Sequence, residues 1–82
     1  MLASLESTRM STTIIYVYLP DEAVDCWRPV EAMLQGGNRY RITSPAPDPE
    51  IERWEFGSGE VVRCECRRLE HGEVLVAVEA VR

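Results

Sequence analysis

TTIIYVYL, residues 12–19, is the stretch that most narrows what this chain can become. β-Branched and aromatic side chains fill it, and these fit a pleated sheet better than a helix. Ile14, Tyr16 and Tyr18 fall on one face of such a strand, with Ile15, Val17 and Leu19 on the other. Apolar side chains at both parities predict a strand covered on both sides. Turn chemistry at Pro20-Asp21 ends it.

The rest of the sequence supplies partners for this strand. CWRPVEAMLQ (26–35) has two readings. Val30, Met33 and Leu34 have helical spacing, and Pro29 is tolerated in a first helical turn. A strand is preferred, because QGGNR (35–39) then makes a hairpin loop between strand-like neighbours. YRIT (40–43) is a short strand with Tyr40 and Ile42 inward and Arg41 outward. SPAPDPE (44–50) carries three prolines and forms a semi-rigid loop. IERWEF (51–56) opens as a helical turn capped by Asp48, with Pro49 next, and ends with Trp54 and Phe56 on one face. After the GSGE turn (57–60), VVRCECRRL alternates Val62, Cys64 and Cys66 against Arg63, Glu65 and Arg67. EHGE (70–73) is a second hairpin loop, and VLVAVEAV (74–81) sets Val74, Val76, Val78 and Ala80 on one face.

Five or six strands joined by short loops follow. An open sheet this small would leave an apolar face wet, whereas a rolled one covers that face and removes most free edges. The expected fold is all-β: a small antiparallel barrel of the Src-homology-three type, with a short helical turn near residues 49–53. At 82 residues the chain is one domain over 12–82, preceded by a flexible leader at 1–11. A chain of this size buries only about 60–65% of its unfolded surface, so its large aromatics are needed inside.

DCWRPVEA (25–32) poses a phase conflict. If Val30, Ala32 and Leu34 point inward, strict alternation turns Trp27 out and brings Arg28 and Cys26 in. A bulge near Pro29 would reverse this, placing Trp27 inside and Arg28 in solvent, and proline is confined to edges and bulges of sheets. That account is preferred to an exposed Trp-Arg pair, although Trp and Arg are favoured interface residues.

Charge excludes several functions. All nine basic residues are Arg, and fourteen acidic residues give a net charge of −5. Bulk attraction to nucleic acid or anionic lipid is disfavoured, since phosphates demand a positive field. No apolar run approaches the ~20 residues of a membrane span. The first ten residues lack the charged start and apolar block of a signal peptide, and three Cys is an odd number. Reduced thiols in a bacterial-type cytoplasm are expected.

Chemistry is equally constrained. Cys26, Cys64, Cys66 and His71 permit the sketch of a zinc site, but their spacing departs from the known ligand patterns. Buried thiols acting as small hydrophobes explain them better. With one His and no Lys, no nucleophile–base pair stands out. QGGN and GSG lack the Lys and helix start of a phosphate loop. No enzyme, metal or cofactor is therefore expected. Trp27, Arg28, Arg39, Arg41, Arg63 and Arg67 form a candidate interaction surface, with Glu31, Glu55 and Glu65 expected among them as cross-strand partners. Acidic clusters at Asp21, Glu22, Asp25 and at Asp48, Glu50, Glu52, Glu55 serve solubility or meet a basic partner.

Three blocks carry a resemblance: Leu19 to Glu22 (LPDE), Trp27 to Ala32 (WRPVEA) and Trp54 to Val62 (WEFGSGEVV). In this order they resemble a group of small uncharacterised bacterial proteins with a Leu-Pro-Asp-Glu turn, a Trp-Arg-Pro-Val-x-Ala strand and a Trp-x-Phe-x-x-Gly-x-x-Val block. The likeness spans residues 16–66 and implies a bacterial cytosolic domain, but no activity. By elimination the expected function is a non-enzymatic module that binds another protein, with a basic one among the candidates, as a monomer or weak homodimer. The alternatives are single-stranded nucleic-acid binding through an Arg-aromatic face and a structural homodimer formed through a sheet edge.

Overall fold

The computed structural model describes residues 12–70 and 72–81. Residues 1–11, where a flexible leader is expected, and His71 and Arg82 lie outside the described residues. Five strands follow one another: β1 (Thr13–Tyr18), β2 (Trp27–Gly36), β3 (Arg39–Ile42), β4 (Val61–Leu69) and β5 (Gly72–Ala80). Each is antiparallel to the next, and the ring closes where β1 meets β5 in parallel at Tyr16↔Val76. Parallel closure is forced, because strand direction alternates along a meander and the first and fifth strands therefore run the same way. The fold is all-β, as the alternation predicted.

One interior serves all five strands. Ile15 and Val17 of β1, Val30 and Ala32 of β2, Ile42 of β3, Val62 and Cys64 of β4 and Ala77 of β5 fill it. Phe56 enters from the β3–β4 connection, and Trp54 packs against the same cluster. That connection is the sixth segment foreseen, and it is not a strand. It begins with one hydrogen-bonded turn, in which the Glu50 and Ile51 amides donate to the Asp48 carboxylate (2.9 Å) and carbonyl (2.8 Å). The cap predicted at Asp48 is present, but the turn does not propagate into a helix. The segment then crosses the barrel mouth, and the Glu55 amide donates to the Tyr18 carbonyl at 2.9 Å.

Four expectations are corrected. β1 is not covered on both faces: Ile15 and Val17 are buried, while Ile14 is 49% exposed and Tyr16 and Tyr18 are half-buried. A ring of five strands has a single inside, so only loops can cover its outer wall. Second, β2 has no bulge at Pro29. Its register with β1 runs unbroken from Tyr18↔Trp27 to Thr13↔Ala32. The Pro29 nitrogen faces away from β1, on a side where β3 pairing begins only at Ala32. No ladder hydrogen bond is lost there, so the proline needs no bulge. Trp27 therefore points outward rather than into the core.

Third, Val74, Val76, Val78 and Ala80 do not all share one face of β5, although Val76, at the seam with Tyr16, is buried. The β4–β5 register jumps between Arg63↔Glu79 and Cys64↔Ala77, leaving Val78 as the extra residue. This bulge reverses the phase, so Leu75 and Ala77 before it and Ala80 after it meet the core. Fourth, Cys66 is exposed although Cys64, two residues earlier, is buried. β3 pairs with β4 only across Val61–Arg63, so the remainder of the β4–β5 hairpin extends beyond the ring. Burial also raises the Cys64 thiol to about 11. Thiol titration at pH 8 should modify Cys66 first and leave Cys64 unreacted until urea unfolds the domain. Equal rates at the two positions would contradict this packing.

Candidate functional site

The predicted arginine surface is mostly occupied by its own carboxylates. Arg28 lies at the barrel mouth and grips Glu52 in a fork, with Nε–Oε1 at 3.1 Å and Nη2–Oε2 at 2.6 Å. The Trp54 indole N–H donates to the same carboxylate at 2.9 Å. Arg63 spans Glu65 (2.8 Å) and Glu79 (3.2 Å), and Arg67 reaches Glu65 at 2.9 Å. Glu65 is thus among the arginines as expected. Glu31 stands opposite Ile14 instead, and Glu55 follows the Trp54 plug, so Glu79 takes the place foreseen for them. Arg39 and Arg41 are exposed on β3, Arg39 directly opposite Arg63. Trp27 and Arg28 face opposite sides of β2 and do not form a joint patch.

Hydrogen bonds from Arg28 first, and then from Trp54, hold the Glu52 carboxyl below its ordinary 4.5. A group lowered in the folded state stabilises above its unfolded value, and that gain disappears as pH falls through the folded one. Urea midpoints should be flat near neutrality and fall below about pH 4.5. Glu52→Gln should cost about 1–2 kcal/mol at pH 7, from charge-assisted bonds at a partly solvated site, and flatten the acid limb. An unaltered acid limb would remove Glu52 as its source.

The outward turn of Trp27 builds a different feature, on the outer wall. Tyr18 lies directly across from Trp27 in the β1–β2 ladder, and their rings meet edge-to-face at 5.4 Å and 61°. The Tyr18 hydroxyl donates to Asp25 Oδ1 at 2.9 Å, which anchors the β1–β2 loop beside the two rings. That bond to the carboxylate raises the tyrosine above its ordinary 10.0. Next to this corner is a groove of about 390 Å³ walled by Tyr16 and Trp27, with Val24, Cys26 and Leu69 as its apolar lining. Asp25 and Glu70 supply its charges. Val24, at 70% exposure, is an apolar side chain held in water at its edge.

Of the six predicted site residues only Trp27 belongs to this groove. The rest was legible only in part: Tyr16, in the groove, and Tyr18, beside it, share a parity with Ile14, but their face reads as buried until the sheet is known to close. Among the described residues no three His, Cys, Asp or Glu side chains come together as metal ligands, and no helix is long and apolar enough to cross a membrane.

Fold and site define a small closed β-meander with an aromatic groove on its outside. Compared with family models, curated proteins and solved structures, the chain matches none.

Proposed function

We propose that this barrel is of the Src-homology-three type and is a non-enzymatic module that binds another protein through the Tyr16–Trp27 groove. We also assign it to the group of small bacterial cytosolic proteins whose three sequence blocks it carries. The observation that carries the binding reading is the outward Trp27, held against Tyr18 where its indole contributes nothing to the core. Large aromatics beside an exposed apolar lining are favoured anchors for protein partners. Asp25 and Glu70 at the groove, and the net charge of −5, favour a basic partner and speed its approach.

Single-strand binding by the arginine face is disfavoured by the pairing of Arg28, Arg63 and Arg67 with Glu52, Glu65 and Glu79. The test uses the immobilised domain. A partner captured from the native host should be retained by the wild type and lost on Trp27→Ala, with no gel shift of oligonucleotides even at low salt. A partner insensitive to Trp27, or a salt-dependent oligonucleotide shift lost on Arg39→Glu and Arg41→Glu, would refute the reading.

A further inference from the structure

Resting on that reading, we infer that the groove holds an arginine side chain of the partner, its guanidinium set between the Trp27 ring and the carboxylates of Asp25 and Glu70. Three observations lead to this occupant. The groove is small: about 390 Å³ lies at the low end of the roughly 300–1,000 Å³ typical of ligand sites, room for one or two side chains of an extended segment. Its lining is aromatic and apolar, so it suits a side chain with a long aliphatic stem and a flat polar head. Among the described residues its only charges are carboxylates, and one of them is held in place. Tyr18 fixes Asp25 through Oδ1 while standing edge-to-face with Trp27, so a carboxylate and an indole are presented side by side.

Each other occupant leaves part of the site unused. An acidic segment meets two carboxylates of its own sign. A wholly apolar segment would cover Asp25 and Glu70 without giving them donors, at a desolvation cost. A lysine ammonium answers the carboxylates but cannot lie flat on an aromatic ring. Guanidinium does both, stacking on the ring while its planar fork donates to carboxylate oxygens.

The probes are N-acetyl-arginine, N-acetyl-lysine and N-acetyl-citrulline methylamides, added at millimolar concentration to the full chain labelled with nitrogen-15. Citrulline keeps the shape of arginine without its charge. Arginine should move the amides of Tyr16, Asp25, Cys26 and Trp27 and the Trp27 indole N–H, leaving the Trp54 indole unmoved. Lysine should bind several-fold more weakly, and citrulline about tenfold more weakly, as expected on losing a charge-assisted bond. Asp25→Asn should reduce arginine binding about tenfold, and Tyr18→Phe about threefold by releasing Asp25. Both changes lie on the outer wall and circular dichroism checks the fold. Equal binding of citrulline, shifts centred on Arg-bearing β3, or no shift with any probe would overturn the arginine assignment. A partner that still depends on Trp27 in the capture experiment but carries no arginine at the contact would overturn it too, and would leave the protein-binding reading standing.

Discussion

Phe56→Ala should lower the stability of this domain by about 3–5 kcal/mol, the usual cost of removing a buried phenyl ring. Phe56 belongs to no strand, yet it is 9% exposed and sits in the core cluster with Ile15, Val30 and Val62. It reaches there because the β3–β4 connection passes over the barrel mouth, held by the Glu55 amide on the Tyr18 carbonyl and by Arg28 on Glu52. Without the ring the core opens at that end, and Trp54 is the one other aromatic side chain that the connection brings to the cluster. For a domain of this length total stability is roughly 4–12 kcal/mol, so the loss removes a large share of it. The melting temperature should fall by about 12 °C or more, at 4–8 °C per kcal/mol. Urea denaturation monitored at Trp54 is the measurement. A loss below about 1 kcal/mol would mean that the connection does not close the barrel.

Trp27→Ala should have the opposite profile. The indole is half-buried on the outside and its identified aromatic partner is Tyr18, an edge-to-face pair worth about 0.5–1.5 kcal/mol beyond its area. Stability should drop by about 1–2 kcal/mol and the domain should stay folded. Partner affinity should fall about 30-fold or more, the loss typical of an interface anchor worth at least 2 kcal/mol. Titration of the captured partner by calorimetry, beside a denaturation curve of the same variant, separates the two effects. Collapse of the fold would place Trp27 in the core after all, and undiminished affinity would move the interface elsewhere. The two tryptophans thus divide their labour: Trp54 belongs to the plug and donates to Glu52, whereas Trp27 presents its ring to the groove.

Much of the barrel was legible in the residues themselves. β-Branched runs interrupted by Pro and Gly dictate short strands, and Gly36 and Gly37, at φ 142° and 58°, take backbone angles that other residues rarely adopt. Val62 and Cys64, Tyr40 and Ile42, and the Asp48 cap all follow from period-two alternation and local hydrogen-bond chemistry. These signals act within a few residues, so one chain segment suffices to read them. What failed has a common cause. The direction of Trp27, the phase of β5 and the exposure of Cys66 depend on how neighbouring strands register and how far they overlap. Pro29 was harmless because β3 stops short of it, and Val78 became a bulge because β4 offers it no partner opposite.

The chain by itself determined an all-β domain, its turns and most of the side chains that fill its centre, because each of these is written in local propensity and alternation. Closure of the ring decided the rest: which of two apolar parities is inside, that Arg28 and Arg63 meet Glu52 and Glu79 far along the chain, and that Tyr16, Tyr18 and Trp27 remain on the outer wall beside Asp25. Those outcomes are set by contacts between residues far apart in sequence, and no local pattern encodes which of two faces a closed sheet turns to water.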